Sequence, residues 1–433
     1  MTPAARLAAA IEVFGNIESE RRPAADVLKS WGLAHRFAGS GDRAAIAGLV
    51  YDALRRRASS AFIMGSDSPR AVLLGMLKRE RLFDSEAIAQ LANGAKYAPE
   101  ALSDEERKRL DTADIGGAPA HVAGDYPEWL DPYFMRAFGG DRAEEGAALS
   151  SRAPLDLRVN TLKTDRDKTA GMLSDLKPEP SRWSPWGLRI RHSADARSPA
   201  VHAEPAFIKG MVEVQDEGSQ LAALFSGARA GEQVVDLCAG AGGKTLALAA
   251  MMENKGQIFA TDDDKRRLAP IHDRLTRSGA RNVQVRTPKS IGGELDDLAG
   301  RCDLVLIDAP CTGTGAWRRN PDAKWRMRSG ALEQRQKEQA EILDRAGPLL
   351  KAGGRIAYVT CSVLDEENGV QVREFMTRHH EFSVRPPAEV AGTLGERAFM
   401  FAKAARLSDE GILMTPRTTE TDGFFVSIIL RRG

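Results

Sequence analysis

The chain has 433 residues, of which 42% are hydrophobic and 28% are charged. This composition is typical of globular proteins and excludes collagen-like and intrinsically disordered chains. At roughly 150 residues per domain, the length predicts about three domains. Lysine and arginine number 61 against 60 aspartates and glutamates, for a net charge of +1, so binding to a nucleic acid would require local clusters of basic residues.

The chain contains four cysteines, Cys238, Cys302, Cys311 and Cys361. Because none belongs to a C-x-x-C pair, the sequence argues against a zinc site, and so few cysteines argue against a disulfide framework. The first residues carry acidic side chains unlike a signal peptide, and no apolar run reaches the roughly 18 residues of a membrane span. We therefore expect a cytoplasmic protein without a metal or membrane partner, in which a free cysteine can act as a nucleophile.

Residues 1–115 are predicted to be helical, because alanine and leucine recur at helical spacing in ARLAAAIEVF and DRAAIAGLVYDALRRR. The consecutive Arg55, Arg56 and Arg57 are either a solvated helix end, where cations meet the helix dipole, or a nucleic-acid contact. The stretch GGAPAHVAGDYPEWL then interrupts the helical pattern and indicates a domain boundary.

Residues 116–203 are predicted to form a small α/β module. LRVNTLK (157–163) and WGLRIRH (186–192) alternate like strands, and DRDKTAGMLSDL between them is typical of a helix.

From residue 204 onward, short apolar strands alternate with helical segments, which predicts an α/β fold with a parallel, doubly wound sheet. One helix, EQRQKEQAEILDRAGPLL, is expected to stop at Gly353-Gly354. The predicted strands are QVVDL (233–237), QIFATD (257–262), NVQVRT (282–287), DLVLID (303–308), RIAYVT (355–360) and the final GFFVSIILRR (423–432).

The first of these strands leads into CAGAGGKT, whose glycines allow a tight turn and the close approach of a ligand. A P-loop is excluded, because Cys238 stands where that motif requires its first glycine. A nucleoside site expects an acid after the second strand to hold ribose hydroxyls, and Asp262 stands there, 26 residues after Asp236. The alternative is that Asp262 caps the next helix, as Asp263 or Asp264 could also do.

Two cysteines follow the ends of candidate strands. DLVLID leads into Ala309-Pro310-Cys311, and RIAYVT leads into Cys361. Ser362-x-x-Asp365 resembles a capping box, which would place Cys361 at a helix N-terminus and favour its thiolate. For Cys238 and Cys302 we expect buried, structural roles.

The motifs DLCAGAGGKT, DAPCTGTGAWRRNPDAKW and YVTCSVLDEEN, supported by RVNTLK, VEVQDEGSQ and DGFF, resemble those of the NOL/NOP/Sun family of RNA (cytosine-5)-methyltransferases. The similarity extends over residues 116–433 and looks closest to the bacterial Sun/Fmu/RsmB branch, which methylates 16S ribosomal RNA. Residues 1–115 are more loosely similar to its NusB-like RNA-binding domain. The resemblance implies a Rossmann-like, S-adenosylmethionine-dependent methyltransferase domain at 204–433, a small α/β linker module at 116–203 and an all-α NusB-like domain at 1–115.

The resemblance also implies roles for individual residues. Cys361 would attack C6 of cytosine, Cys311 would act in product release, and Asp308 would lie near the cofactor methyl group and the base. Lys244 would support this site, unless it only solvates a helix end, and Asp308 could instead be a strand-end cap. The implied S-adenosylmethionine site consists of Cys238, Ala239, Gly240, Ala241, Gly242, Gly243, Lys244, Asp262 and Asp308.

The implied partner is RNA, with ribosomal RNA expected as substrate of a monomeric enzyme. Transfer RNA is the alternative substrate, and a non-catalytic RNA-binding ribosome-assembly factor is the alternative class. The intact cysteine pair with Asp308 argues against that class. A small-molecule methyltransferase is disfavoured by the N-terminal domain and the basic segment described next.

The segment AWRRNPDAKWRMR (316–328) concentrates basic residues and interleaves Trp317 and Trp325. Cations contact phosphates and aromatic rings stack on unpaired bases, so this segment is a candidate RNA surface; the alternative is a structural loop with packed tryptophans.

The sequence departs from the family in two places. Ala241 replaces a proline of the glycine loop, for which we expect a small loss of stiffness. The Gly-Asp that normally follows the third strand is missing near Pro288, so no adenine-contacting residue is assigned.

Overall fold

The computed structural model describes residues 1–191, 199–288, 293–328 and 330–433. The chain divides into two compact units, one formed by Met1–Arg152 with Trp317–Arg328 and the other by Ala153–Ala316 with Ser329–Gly433. The domain boundaries that the sequence suggests after residues 115 and 203 stay a prediction.

The first unit is helical, as predicted for its N-terminal part. Helix α1 (Pro3–Glu20) begins after Thr2, whose hydroxyl accepts the N–H of Ala5. It buries an apolar stripe at helical spacing that includes Phe14 and Ile17. The other helices of residues 1–152 are α2 (Ala24–Ala34), α3 (Ser40–Arg55), α4 (Arg57–Met64), α5 (Pro69–Arg79), α6 (Ser85–Leu91), α7 (Asp104–Asp111), α8 (Ala120–Ala123), α9 (Asp131–Phe138) and α10 (Arg142–Leu149).

The second unit begins with a small antiparallel sheet, which confirms the two strands and the helix predicted for this part. Its strands are ordered β2-β3-β1-β4 and enclose a core of their own. His192, the last residue of the second predicted strand, lies outside the described residues. The elements of this part are β1 (Leu155–Val159), α11 (Arg166–Met172), β2 (Glu179–Pro180), β3 (Gly187–Ile190), α12 (Pro205–Ile208) and β4 (Val212–Val214).

The rest of the second unit is built on one large sheet with helices between its strands. One helix of this stretch of the chain, α17, belongs to the helical unit instead, because residues 317–328 are part of that unit. The elements are α13 (Glu217–Phe225), β5 (Gln233–Asp236), α14 (Gly243–Met251), β6 (Gln257–Ala260), α15 (Lys265–Leu268), α16 (Ile271–Ser278), β7 (Val283–Val285), β8 (Cys302–Asp308), α17 (Ala323–Arg326), α18 (Ala331–Ala346), β9 (Leu350–Thr360), α19 (Gly369–Arg378), β10 (Phe382–Val384), α20 (Pro387–Ala391), α21 (Ala398–Ala404), β11 (Arg406–Leu407), β12 (Ile412–Met414) and β13 (Phe424–Arg431).

The strand order of this sheet is β11-β12-β13-β9-β8-β5-β6-β7, with β10 paired to β13. The five strands from β9 to β7 are parallel, as predicted, whereas β13 runs antiparallel to β9 and makes the sheet mixed. Neighbouring residues such as Val234 and Val235 belong to different apolar clusters, because alternate side chains of a strand point to opposite faces of the sheet. Each of the six strands predicted from residue 204 onward corresponds to a strand of this sheet, so these six predictions are confirmed.

Prolines change the predicted helices of this unit. The pattern of DKRRLAPIHDRLTRSG (264–279) predicts one helix, but the structure splits this segment into α15 and α16, with Pro270 between them. The expected helix stop at Gly353-Gly354 is wrong, because α18 ends at Ala346 and β9 already begins at Leu350. Pro348 explains the early end, since it has no N–H with which to extend the helix. Within the described ranges, none of the helices combines the length and apolar character needed to cross a lipid bilayer.

Candidate active site

The two cysteines that follow strand ends lie together. Strands β8 and β9 are parallel neighbours, and the N–H of Ala309 extends their pairing to the carbonyl of Val359 at 2.8 Å. Cys311 and Cys361 therefore emerge at the same edge of the sheet, and their Sγ atoms are 3.3 Å apart. Cys302 is buried in the core, and Cys238 is half-buried against the same apolar cluster.

The environment of Cys311 keeps it protonated. The hydrogen bond with Cys361, together with burial, raises the pKa of the Cys311 thiol well above its usual value. A thiol that retains its proton at neutral pH can donate a hydrogen bond to the neighbouring sulfur, and it can take part in proton transfer beside Cys361.

The capping box predicted for Ser362 and Asp365 is absent. The Ser362 hydroxyl accepts the N–H of Leu364 at 3.1 Å and shares a hydrogen bond of 3.0 Å with Thr314. Only a short 3-10 turn starts at Asp365, and α19 begins at Gly369. The expectation that Cys361 lies at a helix N-terminus is therefore wrong, because Thr314 and the local turn occupy the serine that would have capped the helix.

The glycine loop joins β5 to α14 and is bonded to the acid that follows β6. The N–H of Gly240 donates to Asp262 Oδ2 at 2.9 Å. Asp264, not Asp262, caps α15, by accepting the N–H of Arg266 at 2.8 Å. The alternative role of Asp262 as the helix cap is thus excluded, and its carboxylate lies beside the loop.

Ala241, which stands where the family has proline, is held from outside the loop. Its carbonyl accepts a hydrogen bond of 2.8 Å from Arg274, whose guanidinium also pairs with Glu213 at 2.9 Å. The next residue, Gly242, has φ +85°, a conformation that favours glycine, and an added Cβ would approach Ile271 to 2.6 Å. Arg274, which is itself ion-paired, thus restrains the loop at the position where the proline is missing. The expected loss of stiffness stays a prediction.

Lys244, in the first turn of α14, forms an ion pair with Asp308, with 2.6 Å between Nζ and Oδ2. The lysine side chain is 6% exposed, whereas that of Asp308 is 36% exposed. Nζ also lies 5.3 Å from the centre of the Phe424 ring. Lys244 is therefore directed at the carboxylate rather than solvating a helix end, and Asp308 presents a partly accessible anion close to the cysteine pair in sequence.

Asp236, at the end of β5, is a buried acid to which the sequence motifs assign no role. Burial raises its pKa to about 7, and its Oδ2 accepts the Thr245 hydroxyl at 2.7 Å. Burial beside this acid also raises the pKa of Cys238 well above its usual value. The signal that could have identified Asp236 is an acid ending an otherwise apolar strand.

The missing third-strand acid falls at the end of β7. Pro288 lies just after this strand, and residues 289–292 are outside the described residues. The adenine-contacting position therefore stays unassigned.

The basic segment predicted as an RNA surface is largely buried in the helical unit. Trp317 is fully buried and stacks on Phe134, with 5.9 Å between the ring centres. The Nζ of the fully buried Lys324 donates to the carbonyl of Asp125 and to the Ser150 hydroxyl, and burial lowers the pKa of this lysine to about 7. Trp325 donates its indole N–H to the carbonyl of Leu54 at 2.7 Å. The prediction is wrong for these side chains, and the alternative of a packed loop holds.

The three consecutive arginines are engaged in ion pairs within the same unit. Arg55 pairs with Asp52, Arg56 with Glu80 and Arg57 with Glu18, at 3.5, 2.7 and 2.7 Å. The pair of Arg55 lies within α3, whereas Arg57 joins α4 to α1. The three arginines are therefore not a solvated helix end, and a contact with nucleic acid stays a prediction.

The fold is that of the Rossmann-like class of methyltransferases. Three features define this class here: the strand order of the large sheet, the glycine loop after β5 and the acid Asp262 after β6. Residues 224–430 match the family model described as 16S rRNA methyltransferase RsmB/F, and residues 126–197 match the ferredoxin-like domain of RsmF/B-like methyltransferases. The ribosomal RNA small subunit methyltransferase B of Citrobacter koseri is 34% identical over 313 residues, which span 71% of this chain and 67% of that protein. The chain belongs to the RsmB/F family and is an RNA methyltransferase.

Solved structures share this fold. The crystal structure of PH0851 superimposes with a TM-score of 0.71 and 24% identity over 99% of both chains. NSun6 from Pyrococcus horikoshii, solved with SFG, superimposes with a TM-score of 0.59 and 23% identity over 71% of this chain and 98% of its own. In the part of the chain that the structure describes, no group of three or more His, Cys, Asp or Glu side chains could hold a metal ion.

Proposed function

We propose that this protein methylates C5 of a cytosine in 16S ribosomal RNA, with S-adenosylmethionine as methyl donor and a covalent bond between Cys361 and C6 as intermediate. The observation that carries the proposal is the 3.3 Å separation of the Cys311 and Cys361 sulfurs, at the strand edge that also bears Asp308. The relatives that the chain matches are named as methyltransferases of small-subunit ribosomal RNA, which supports the choice of substrate.

The chemistry explains why a cysteine is needed. C5 of cytosine is a weak nucleophile. Addition of the Cys361 thiolate to C6 breaks the C5–C6 π bond and converts the ring to an enamine, in which C5 is nucleophilic and can attack the electrophilic methyl group. A neighbouring base then accepts the C5 proton, the electron pair of that C–H bond re-forms the C5–C6 double bond, and the Sγ–C6 bond breaks, which releases the methylated base and restores the Cys361 thiolate. Covalent catalysis thus replaces one difficult step by two easier ones.

Cys311 and Asp308 have distinct proposed roles. Cys311 acts as the base in the elimination that releases the product. The hydrogen bond with Cys361 is the main cause of its raised pKa, and in the adduct Cys361 is bonded to C6, so Cys311 can give up its proton to solvent and then accept the proton of C5. Asp308 hydrogen-bonds the N3/N4 edge of the cytosine and stabilises charge that develops in the adduct, while Lys244 holds its carboxylate in place.

The residues of the glycine loop fit a nucleoside-containing methyl donor, which supplies an electrophilic methyl group when bound. An added Cβ at Gly240 would meet its nearest neighbours only at 3.7 and 3.9 Å, the second of them an oxygen of Asp262, so a ligand can approach the backbone there. We propose Asp262 for the ribose hydroxyls, and residues 238–244 with Asp308 for the rest of the donor. A structural neighbour solved with SFG, an analogue of S-adenosylmethionine, supports this cofactor.

Single variants of Cys361 and Cys311 distinguish the roles of the two cysteines. Purified protein is incubated with 16S ribosomal RNA and radiolabelled donor, and both methyl transfer and denaturation-resistant protein–RNA adduct are measured. We expect Cys361→Ala to abolish both, and Cys311→Ala to accumulate adduct. Adduct in the Cys361 variant but not in the Cys311 variant would reverse the assignment.

The target is identified by bisulfite sequencing of RNA from cells that lack the protein. We expect one methylated cytosine of 16S ribosomal RNA to be lost. Loss of a methylated cytosine in transfer RNA instead would identify transfer RNA as the substrate. Failure of the purified protein to bind the donor would favour a non-catalytic assembly factor. RNA binding by the N-terminal helices, a monomeric state and action in the cytoplasm stay predictions.

A further inference from the structure

Two consecutive buried residues, Glu367 and Asn368, follow Cys361 at the end of a 3-10 turn. Neither is among the residues that the motifs assign to the reaction. Most contacts of the two side chains are with different segments. Glu367 bonds to the residues beside Cys311 and, in addition, to the Ser362 hydroxyl, whereas Asn368 bonds to the residues beside Cys361.

The Glu367 carboxylate holds the Cys311 segment. It accepts the backbone N–H of Thr312 at 2.8 Å and the Thr312 hydroxyl at 2.5 Å. Gln339 donates from one amide group both to this carboxylate, at 3.0 Å, and to the carbonyl of Pro310, at 2.9 Å. The backbone on both sides of Cys311 is thus bonded to one buried pair, Glu367 and Gln339.

The Asn368 amide holds the Cys361 segment in the same manner. Its oxygen accepts the Thr360 hydroxyl at 2.5 Å, and its nitrogen donates to the carbonyl of Ser362 at 3.0 Å. Thr360 and Ser362 are the two neighbours of Cys361 in the chain. The position of this cysteine relative to the end of β9 is therefore set by Asn368.

We propose that Glu367 and Asn368 are positioning residues for different halves of the reaction, Glu367 through Cys311 for release and Asn368 through Cys361 for attack. This inference rests on the proposed function, in which the two cysteines act in separate steps. Reacting groups must be held closely in a productive geometry, so loosening one segment slows its own step most. Because the two residues are adjacent in the chain, a general disturbance of the turn would affect both steps alike.

The test measures adduct formation and adduct decay separately, in single-turnover reactions with 16S ribosomal RNA. Glu367→Gln keeps the shape but places an NH2 group against a Thr312 donor. We expect it to form adduct at nearly the rate of the unmodified enzyme and to release it about tenfold more slowly, so that adduct accumulates. Thr312→Val removes only the hydroxyl that donates to the same carboxylate, and we expect a weaker effect in the same direction.

Asn368→Asp keeps the acceptor for Thr360 but replaces the donor to Ser362 by an anion that faces a carbonyl. We expect adduct formation to slow about tenfold without accumulation. Glu374→Gln, on the exposed side of α19, is the matched control and should leave both rates unchanged. Thermal unfolding of every variant reports whether the fold is intact.

Cys311→Ala and Cys361→Ala are measured in parallel. If these two behave as proposed but the variants of Glu367 and Asn368 change the same step, or neither step, the positioning inference is wrong while the proposed function stands. If the cysteine variants themselves do not separate attack from release, the proposed function fails first. If Glu367→Gln unfolds, Thr312→Val decides the outcome from the other end of the same contact.

Discussion

The backbone N–H of Gly423 donates to the carbonyl of Gly315 at 2.9 Å, and the N–H of Gly315 donates to the carbonyl of Cys361 at the same distance. The loop after Cys311 is thereby joined both to the second cysteine and to the DGFF segment near the C-terminus. The two glycines pack so closely that a Cβ on either would overlap the backbone of the other. This contact gives the DGFF segment a structural reason to contain glycine.

Gly423→Ala is expected to destabilise the protein and to impair methyl transfer. The added Cβ would lie 2.5 Å from the Cα of Gly315 and 2.6 Å from a methyl group of Val363. Such overpacking costs about 1–3 kcal/mol of unfolding free energy. The checks are thermal unfolding and the transfer assay. Gly392→Ala, which has open space around its Cβ, serves as control, and an unchanged melting temperature for Gly423→Ala would contradict the close contact.

Lys244 and Asp308 are expected to act as a unit. Lys244→Met leaves the Asp308 carboxylate without its cation, and Asp308→Asn leaves a buried ammonium without its anion. Residues in direct contact show non-additive effects, so the double variant should lose less activity than the product of the two single losses. Methyl transfer by the three variants and the unmodified enzyme is measured in a double-mutant cycle. Multiplicative losses would mean that the ion pair has no functional coupling.

The buried acid Asp236 predicts a pH dependence of stability. Its pKa is raised to about 7 in the folded protein, above the value of about 4 that an unfolded aspartate has. Between these values the folded state binds a proton that the unfolded state has lost, so the stabilisation from this group is complete below pH 4 and is lost as the pH rises through 7. The change is at most about 1.4 kcal/mol per pH unit.

The comparison variant is Asp236→Asn, which keeps an acceptor for the Thr245 hydroxyl. Both proteins are measured without S-adenosylmethionine. Between pH 5 and pH 8, the melting temperature of the unmodified protein should fall more than that of Asp236→Asn. Glu217, whose pKa burial also raises to about 7, contributes the same slope to both proteins and cancels in the difference. Parallel pH profiles for the two proteins would show that Asp236 does not bind a proton in this range.

Trp317→Ala is expected to lower stability rather than to weaken RNA binding selectively. The indole is fully buried and stacked on Phe134, and replacing a buried tryptophan with alanine costs about 3–5 kcal/mol. Trp129→Ala, at a partly exposed tryptophan of the same unit, should have a small effect. Thermal unfolding and RNA affinity are measured together. A stable Trp317 variant with weakened RNA affinity would restore the sequence-based prediction of a stacking surface.

The proximity of the two cysteines could be anticipated without the structure. DLVLID and RIAYVT are short apolar runs followed by helical segments, and parallel strands joined in this way end at one edge of the sheet. Cys311 and Cys361 each follow such a run directly, so their meeting at 3.3 Å is a consequence of strand direction and register. The contact of Asp262 with the glycine loop has the same origin.

The sequence-based predictions are wrong where a side chain is engaged by distant partners. Lys324 was expected to face RNA, but its ammonium is surrounded by acceptors from Arg55, Asp125 and Ser150. Ser362 was expected to cap a helix, but Thr314 shares its hydroxyl. The charge and spacing of a segment do not reveal such partners.

The sequence by itself determined the α/β core, the order of its strand-end motifs and the membership of the RsmB/F family. These depend on hydrophobic alternation and short motifs, which are local in the chain. Only the tertiary structure decided that the tryptophans and lysine of 317–328 are packed inside the helical unit, and that Glu367 and Asn368 hold the two cysteine segments. Burial and hydrogen bonding depend on residues that are far apart in sequence and meet only in the folded chain.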